Sequence, residues 1–249
     1  MTGCVLGAAA VALSSATFAQ CPAQWAPGFQ RFDFGSGFDW STIEQLHYEG
    51  RDQTFLGFTR TELPGSDDFG VTIGGPFLWD GRTLRSVGLA FDQAGTSIHA
   101  AAVWVDPQTH EESIIVAGVF DTVEGAPARF IARWDGESWS SVGNSVDFAT
   151  TNFAIRALAV YDDGQGPYLY AGGDFSKIGG VNASRIARWN GGNWEPVGVG
   201  VASRVFALHV FDDGGGAKLF AGGEFTLAGG SPALRLARWD GGAWSAAGN

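Results

Sequence analysis

Arg185-Ile186-Ala187-Arg188-Trp189-Asn190-Gly191 is the stretch on which the reading of this chain turns. It returns as Arg235-Leu236-Ala237-Arg238-Trp239-Asp240-Gly241 and as Phe130-Ile131-Ala132-Arg133-Trp134-Asp135-Gly136. A weaker copy is Phe77-Leu78-Trp79-Asp80-Gly81, and Trp25 marks a degenerate earlier one. These five Trp residues are spaced by 54, 55, 55 and 50 positions. Self-similarity at a fixed period of this size signals a repeat architecture, in which each unit buries its apolar faces against its neighbours.

Each copy runs through the same events. A second aromatic or apolar residue follows the Asp/Asn-Gly pair (Leu84, Trp139, Trp194, Trp244), and a Gly comes four residues later (Gly88, Gly143, Gly198, Gly248). Next comes an apolar run, as in Ile155 to Tyr161 and Val205 to Phe211, with Ile98 to Trp104 as the earlier match. An Asp-Asp-Gly turn follows at 162–164 and 212–214, then Leu169-Tyr170-Ala171-Gly172-Gly173-Asp174-Phe175, echoed by Leu219 to Phe225. The pattern predicts strands near 130–134, 139–142, 155–161 and 168–174, and again 50 to 55 residues on. About four short strands per unit of this length predict an all-β fold, a β-propeller of four-stranded antiparallel blades.

Asn-Gly and Asp-Gly between strand-like runs predict two-residue hairpins, whose turn needs positive φ at both central positions. That turn would set Trp189 opposite Gly192 and Ala187 opposite Trp194, with Trp189 and Trp194 diagonal on one face. Ala157-Leu158-Ala159-Val160 is apolar on both faces, as expected of a strand held between neighbouring sheets. The pairs Gly172-Gly173 and Gly222-Gly223 suit close backbone approach near a crowded axis.

These elements resemble kelch-type repeats, like those of the galactose-oxidase central domain, of large secreted bacterial repeat proteins and of fungal cortical cell-polarity marker proteins. The resemblance rests on Ala-Gly-Gly-Asp/Glu-Phe, on the Gly-Gly pair that follows it, and on Ile-Ala-Arg-Trp-Asp-Gly-x-x-Trp. It covers about residues 25 to 249 and is sharp from about 115. It implies a kelch-like propeller outside the cell, and it does not imply oxidase activity. On this reading residues 1–19 are a signal peptide and 20–249 the repeats. The degenerate first repeat is 25–78, clearer ones are 79–133, 134–188 and 189–238, and 239–249 is a partial unit. Because the repeats are still strong at Asn249, the chain is expected to be a piece of a longer protein with an incomplete ring.

The N-terminus carries a short apolar run, Val5 to Leu13, and then Thr17-Phe18-Ala19 before Gln20, a pattern that suits cleavage after Ala19. No Lys or Arg precedes the run. Removal of that stretch takes Cys4 and leaves Cys21 alone, so no intrachain disulfide is expected. The 249 residues hold 38 Gly and 10 Trp, a pairing that suits many tight turns around bulky apolar packing. A formal net charge of −11 disfavours nucleic acid and anionic membrane surfaces as partners. No membrane insertion is expected after signal removal.

Candidate chemistry is sparse. The Asp-Asp-Gly turns offer oxygens that could serve calcium, but the residues also make turns, which is the reading adopted. Asp174 and Glu224 share one repeat position, Arg133, Arg188 and Arg238 a second, and Arg185 and Arg235 a third. A repeated ion pair or hydrogen-bond clamp is expected of them rather than an acid/base pair. Trp134, Trp139, Trp189, Trp194 and Trp239, with Trp79 and Trp244, are expected in the core rather than stacked on sugars. Trp25, Trp40 and Trp104 are less regular and could be exposed. His47, His99, His110 and His209 show no metal-ligand spacing. No catalytic residue, cofactor or metal is therefore assigned. The expected function is a secreted, non-enzymatic binding or structural module for an extracellular protein or glycan. Two alternatives stay open. One is a propeller-type carbohydrate-active or oxidoreductase enzyme with its site in the irregular region Gly28 to Gly75, and the other is a lectin.

Overall fold

Four antiparallel sheets, each of four strands, follow one another along the chain in this computed structural model, which describes residues 39–59, 76–87, 96–143, 155–212 and 214–247. The first blade holds β1 (Asp39–Tyr48), β2 (Arg51–Thr59), β3 (Phe77–Trp79) and β4 (Leu84–Ser86). In the second, β5 (Ser97–Val105) and β6 (Glu112–Val119) precede a ribbon, β7 (Thr122–Val123) and β8 (Ala126–Pro127), and then come β9 (Ile131–Trp134) and β10 (Trp139–Ser141). The third repeats this with β11 (Ile155–Asp162), β12 (Pro167–Gly173), ribbon β13 (Lys177–Ile178) and β14 (Val181–Asn182), β15 (Ile186–Trp189) and β16 (Trp194–Pro196). The fourth has β17 (Val205–Asp212), β18 (Ala217–Gly223), ribbon β19 (Leu227–Ala228) and β20 (Ser231–Pro232), β21 (Leu236–Trp239) and β22 (Trp244–Ala246). The fold is all-β, with no helix among the described residues; it is a β-propeller of four-stranded blades. The signal-peptide expectation for 1–19 and the Trp25 copy lie outside the described residues.

The phase of the units differs from the sequence reading. The Trp hairpin closes a blade rather than opening one: β12 pairs with β15 through Leu169↔Trp189 to Gly172↔Ile186. The cuts at 79, 134, 189 and 239 therefore run through β3, β9, β15 and β21, and the strands at 239 and 244 belong to the fourth sheet. A period is the same whichever residue begins it, so only pairing could fix where a sheet starts.

The hairpin turn also differs. Trp189 lies directly opposite Trp194 across a four-residue loop, and Ala187 lies opposite Pro196. The Asn190 Oδ1 accepts hydrogen bonds from the Gly192 and Asn193 N–H groups at 2.9 and 2.8 Å, so the side chain itself caps the loop. Only the Gly then needs positive φ, +100° at Gly191. Asp80, Asp135 and Asp240 cap their loops the same way, and their backbone donors hold the three carboxyls below the ordinary carboxylate range.

The opposed register brings the paired rings within 5.4–5.5 Å in three blades. The second ring of each pair then reaches back one blade: the Trp139, Trp194 and Trp244 indole N–H groups donate to the Val87, Val142 and Val197 carbonyls at 3.0, 3.3 and 3.0 Å. Each blade is thus tied at its outer edge to the one before it.

The longest strand of each blade, β1, β5, β11 and β17, lies at its inner edge, and these strands run side by side from blade to blade. Three apolar clusters fill the spaces between adjacent blades. Along β11 the side chains alternate between two of them: Leu158 and Val160 join the cluster shared with the second blade, Ala159 and Tyr161 that shared with the fourth. This is why Ala157 to Val160 is apolar on both faces. Trp104, which the sequence left as a candidate for exposure, is buried in the cluster between the second and third blades.

Candidate functional site

The two ends of this blade row differ in what repeats. At the end where the hairpin loops lie, an Asp or Asn cap returns in every blade. Besides the Asp/Asn caps above, Asp162 Oδ1 accepts from the Gly164 and Gly166 N–H groups at 2.9 and 3.2 Å, and Asp212 Oδ1 from Gly214 and Gly216 at 2.8 and 3.0 Å. The first carboxylate of each Asp-Asp-Gly turn is thereby engaged in its own loop.

Asp163, the second carboxylate, accepts from the Gln165 N–H at 3.2 Å in its own loop and also reaches beyond it. Its side chain is 0% exposed and ion-paired with the Arg188 guanidinium, while the Tyr170 hydroxyl donates to Oδ2 at 2.9 Å. Arg188 Nε also donates to Glu195 Oε2 at 3.0 Å, and its guanidinium carbon lies 4.1 Å from the Tyr168 ring centroid. Burial pushes the Tyr170 phenol above its ordinary value; Arg188 opposes this and Asp163 reinforces it. Arg133 and Arg238 occupy the same repeat position with other partners. Arg133 Nε donates to Ser113 Oγ at 2.7 Å, and Arg238 Nε to Ser245 Oγ at 3.1 Å.

At the opposite end the backbone repeats but the side chains change. A bulge sits near the start of each inner strand; it falls on His99, Arg156 and Phe206 in the second, third and fourth blades. A left-handed residue precedes the third strand of each: Phe130, Arg185 and Arg235, with φ of 65°, 68° and 64°. Its N–H donates to the carbonyl of Phe120, Phe175 or Phe225, and its carbonyl accepts from Gly118, Gly173 or Gly223. Beside it stand Val119, Asp174 and Glu224.

The charges at this end run from blade to blade. Asp174 takes Arg185 at 3.7 Å and Arg204 of the next blade at 2.9 Å, and Arg204 lies 3.9 Å from Glu224. The Arg156 guanidinium lies 5.6 Å from the Phe206 ring centroid. His99 Nε2 is 2.9 Å from Ser97 Oγ, and burial, then the Arg156 charge, lowers its pKa, so the ring is neutral at pH 7. The Nε of Arg156 is buried without a hydrogen-bond partner among the described residues, as are Trp104 Nε1 and Trp239 Nε1 toward the other end.

Of the glycine pairs, Gly172 and Gly223 are places of close approach. A Cβ would sit 2.6 Å from Val205 Cγ1 at Gly172 and 2.0 Å from the Arg204 carbonyl oxygen at Gly223. Gly222 is not: nothing lies nearer than 3.9 Å there. Trp139, Trp189, Trp194, Trp239 and Trp244 are buried, and Trp134 is half-buried. The described residues include no group of three or more His, Cys, Asp or Glu placed to hold a metal ion.

Sequence reasoning missed the row of bulge residues. Its signal was available as Ile98-His99, Ile155-Arg156 and Val205-Phe206, one apolar residue followed by a variable one at the start of each inner strand. Glu44 was missed too, inside the irregular region held open for a hidden site. It lies on β1 at the register position of Ala102 and Ala159, and burial pushes its carboxyl up to about 7.

A carboxyl with a higher pKa folded than unfolded binds its proton more tightly in the fold. Its contribution is therefore present below about 4.5 and is lost as pH rises through about 7. Against Glu44→Gln, the protein should lose on the order of 1–3 kcal/mol between pH 5 and pH 8. Urea unfolding of both proteins at the two pH values measures this; parallel pH dependence would show that the carboxyl is not confined.

A family described as a domain of unknown function (DUF5122), β-propeller, matches residues 169–192, from β12 through the loop after β15. No curated protein matches the chain. No solved structure matches it either.

Proposed function

We propose that this protein is a secreted, non-catalytic propeller module of kelch-like type that binds an extracellular protein or glycan through the end carrying the bulges. One observation carries the reading: at that end a repeated backbone carries His99, Arg156 and Phe206 on the bulges of successive blades, and Val119 with Phe130 in the second blade where the third and fourth have an acid with an Arg (Asp174 with Arg185, Glu224 with Arg235). A rigid frame with exchanged side chains suits recognition, whereas the hairpin-loop end spends its polar groups on its own turns. Arg188 and Asp163 hold strands together, which supports a scaffold role for the recurring charges.

Glycan and extracellular-protein arrays test this with the wild type, Arg156→Gln and, as a control in a hairpin loop at the other end, Glu137→Gln. Arg156→Gln should weaken capture about tenfold or more, the loss of one charge-assisted contact, with Glu137→Gln unchanged. Equal binding by all three would refute the assigned end. Glu44 supports the one competing reading, because a carboxyl near 7 is suited to proton transfer. Turnover on glycosidase, esterase or alcohol-oxidase substrates that disappears in Glu44→Gln would replace binding with catalysis.

A further inference from the structure

The fourth blade turns outward the positions that the third blade buries. Tyr161 and Ile186, facing the fourth blade, are 5% and 0% exposed. Their register equivalents Phe211 and Leu236 are 55% and 43% exposed and remain apolar, while His209 and Lys218 stand where the third blade has Ala159 and Tyr168. The Phe211 and Phe220 rings keep the contact of Tyr161 and Tyr170, at 6.1 against 5.8 Å. Gly172 leaves room for Val205 of the following blade, while no atom of the described residues lies nearer than 3.9 Å to a Cβ at Gly222. The Val197 carbonyl receives the Trp244 indole, and the matching carbonyl on the fourth blade is that of Ala247.

The other end of the row is finished differently. The cross-strand pairs Val103–Ile114, Val160–Leu169 and Val210–Leu219 each belong to a cluster shared with, or packed against, the preceding blade. On the first blade the equivalent pair is Gln45–Thr54, hydrogen-bonded at 2.9 Å and exposed. A polar outer face is what a terminal repeat needs in water. The first blade also has Leu84 where the later blades have the second hairpin Trp, so it has no indole N–H to offer a preceding carbonyl. A face of this kind does not match the apolar face of the fourth blade, whether it comes from the same chain or from a second copy.

We propose that the outward face of the fourth blade is the docking surface for a fifth blade of the same repeat, carried on the same polypeptide, whose second hairpin Trp donates to the Ala247 carbonyl. The inner-strand residues of that blade equivalent to Leu208 and Val210 cover Phe211 and Phe220. The existing interfaces between the four blades supply the geometry, and Phe211 and Leu236 keep the apolar side chains such an interface needs.

The test appends a second copy of residues 200–249 after Asn249, in phase with the repeat, and reads thiol labelling of a Phe211→Cys variant in a Cys4→Ser, Cys21→Ser background. Labelling should slow about tenfold or more in the extended chain. Replacing by Leu the appended Trp that corresponds to Trp244 should restore it in part. Unchanged labelling on extension would overturn the proposal. So would a thiol already protected in the 249-residue chain, because a dimeric mass would then assign the face to a second copy and a monomeric mass to the first blade. Labelling unaffected by the appended Leu would overturn the indole contact and the docking register with it.

Discussion

Trp194→Ala is expected to destabilise the protein by about 3–5 kcal/mol, the range for deleting a buried aromatic whose cavity cannot collapse. Collapse is prevented on every side. The Trp189 ring lies 5.5 Å away, and the Trp194 indole bonds to the Val142 carbonyl of the preceding blade. Cβ positions at Gly143 and Gly179 would fall 3.3 and 2.6 Å from its Cδ1, so both glycines lie against the ring. The loss therefore includes a packed ring and a tie between two blades. Urea unfolding followed by circular dichroism measures it. A sugar-stacking Trp would behave differently, losing glycan capture while stability changed by less than about 1 kcal/mol; that outcome would remove the Trp pairs from the scaffold.

Arg188→Ala is expected to cost a similar amount, about 3–5 kcal/mol, for an electrostatic reason. Asp163 has a fully buried side chain, and without the guanidinium its charge keeps, among the described residues, the Tyr170 hydroxyl at 2.9 Å and the Gln165 N–H at 3.2 Å. Glu195 loses its bond from Arg188 Nε, but it is part-exposed and keeps Asn190 at 2.8 Å. The uncompensated charge on Asp163 thus accounts for most of the cost. The double variant Arg188→Ala/Asp163→Asn should accordingly recover about 1–2 kcal/mol over Arg188→Ala alone. If Asp163→Asn adds its own loss on top, the ion pair is not what Arg188 contributes, and packing of its stem on Tyr168 is.

How far the sequence could be read depended on whether a residue repeats. Trp189 and Trp194 return in register, so the strands and the hairpins between them were legible from spacing alone. The loop type was not, because Asn190-Gly191 looks like a two-residue turn until the Asn190 carboxamide is seen to cap two further N–H groups. The start of each blade was equally hidden: β12 and β15 are separated by a ribbon and pair only in space. Arg188 could be recognised as a clamp, but its buried partner Asp163 looked like a turn residue beside Asp162. His99, Arg156 and Phe206 were invisible as a set because they share a bulge and no chemistry. Glu44 was invisible because the first blade lacks the second Trp and much of the pattern that would align it with Ala102.

These observations separate a constant frame from a variable end, and that separation is the core of the account. Hydrogen-exchange protection mapped on the protein with and without a partner captured on the arrays tests it most directly. The account predicts new protection around His99, Arg156, Arg185 and Arg204, with the loops at Asp80, Asp135, Asn190 and Asp240 unchanged. Protection concentrated in those four loops, with none at the bulges, would contradict it.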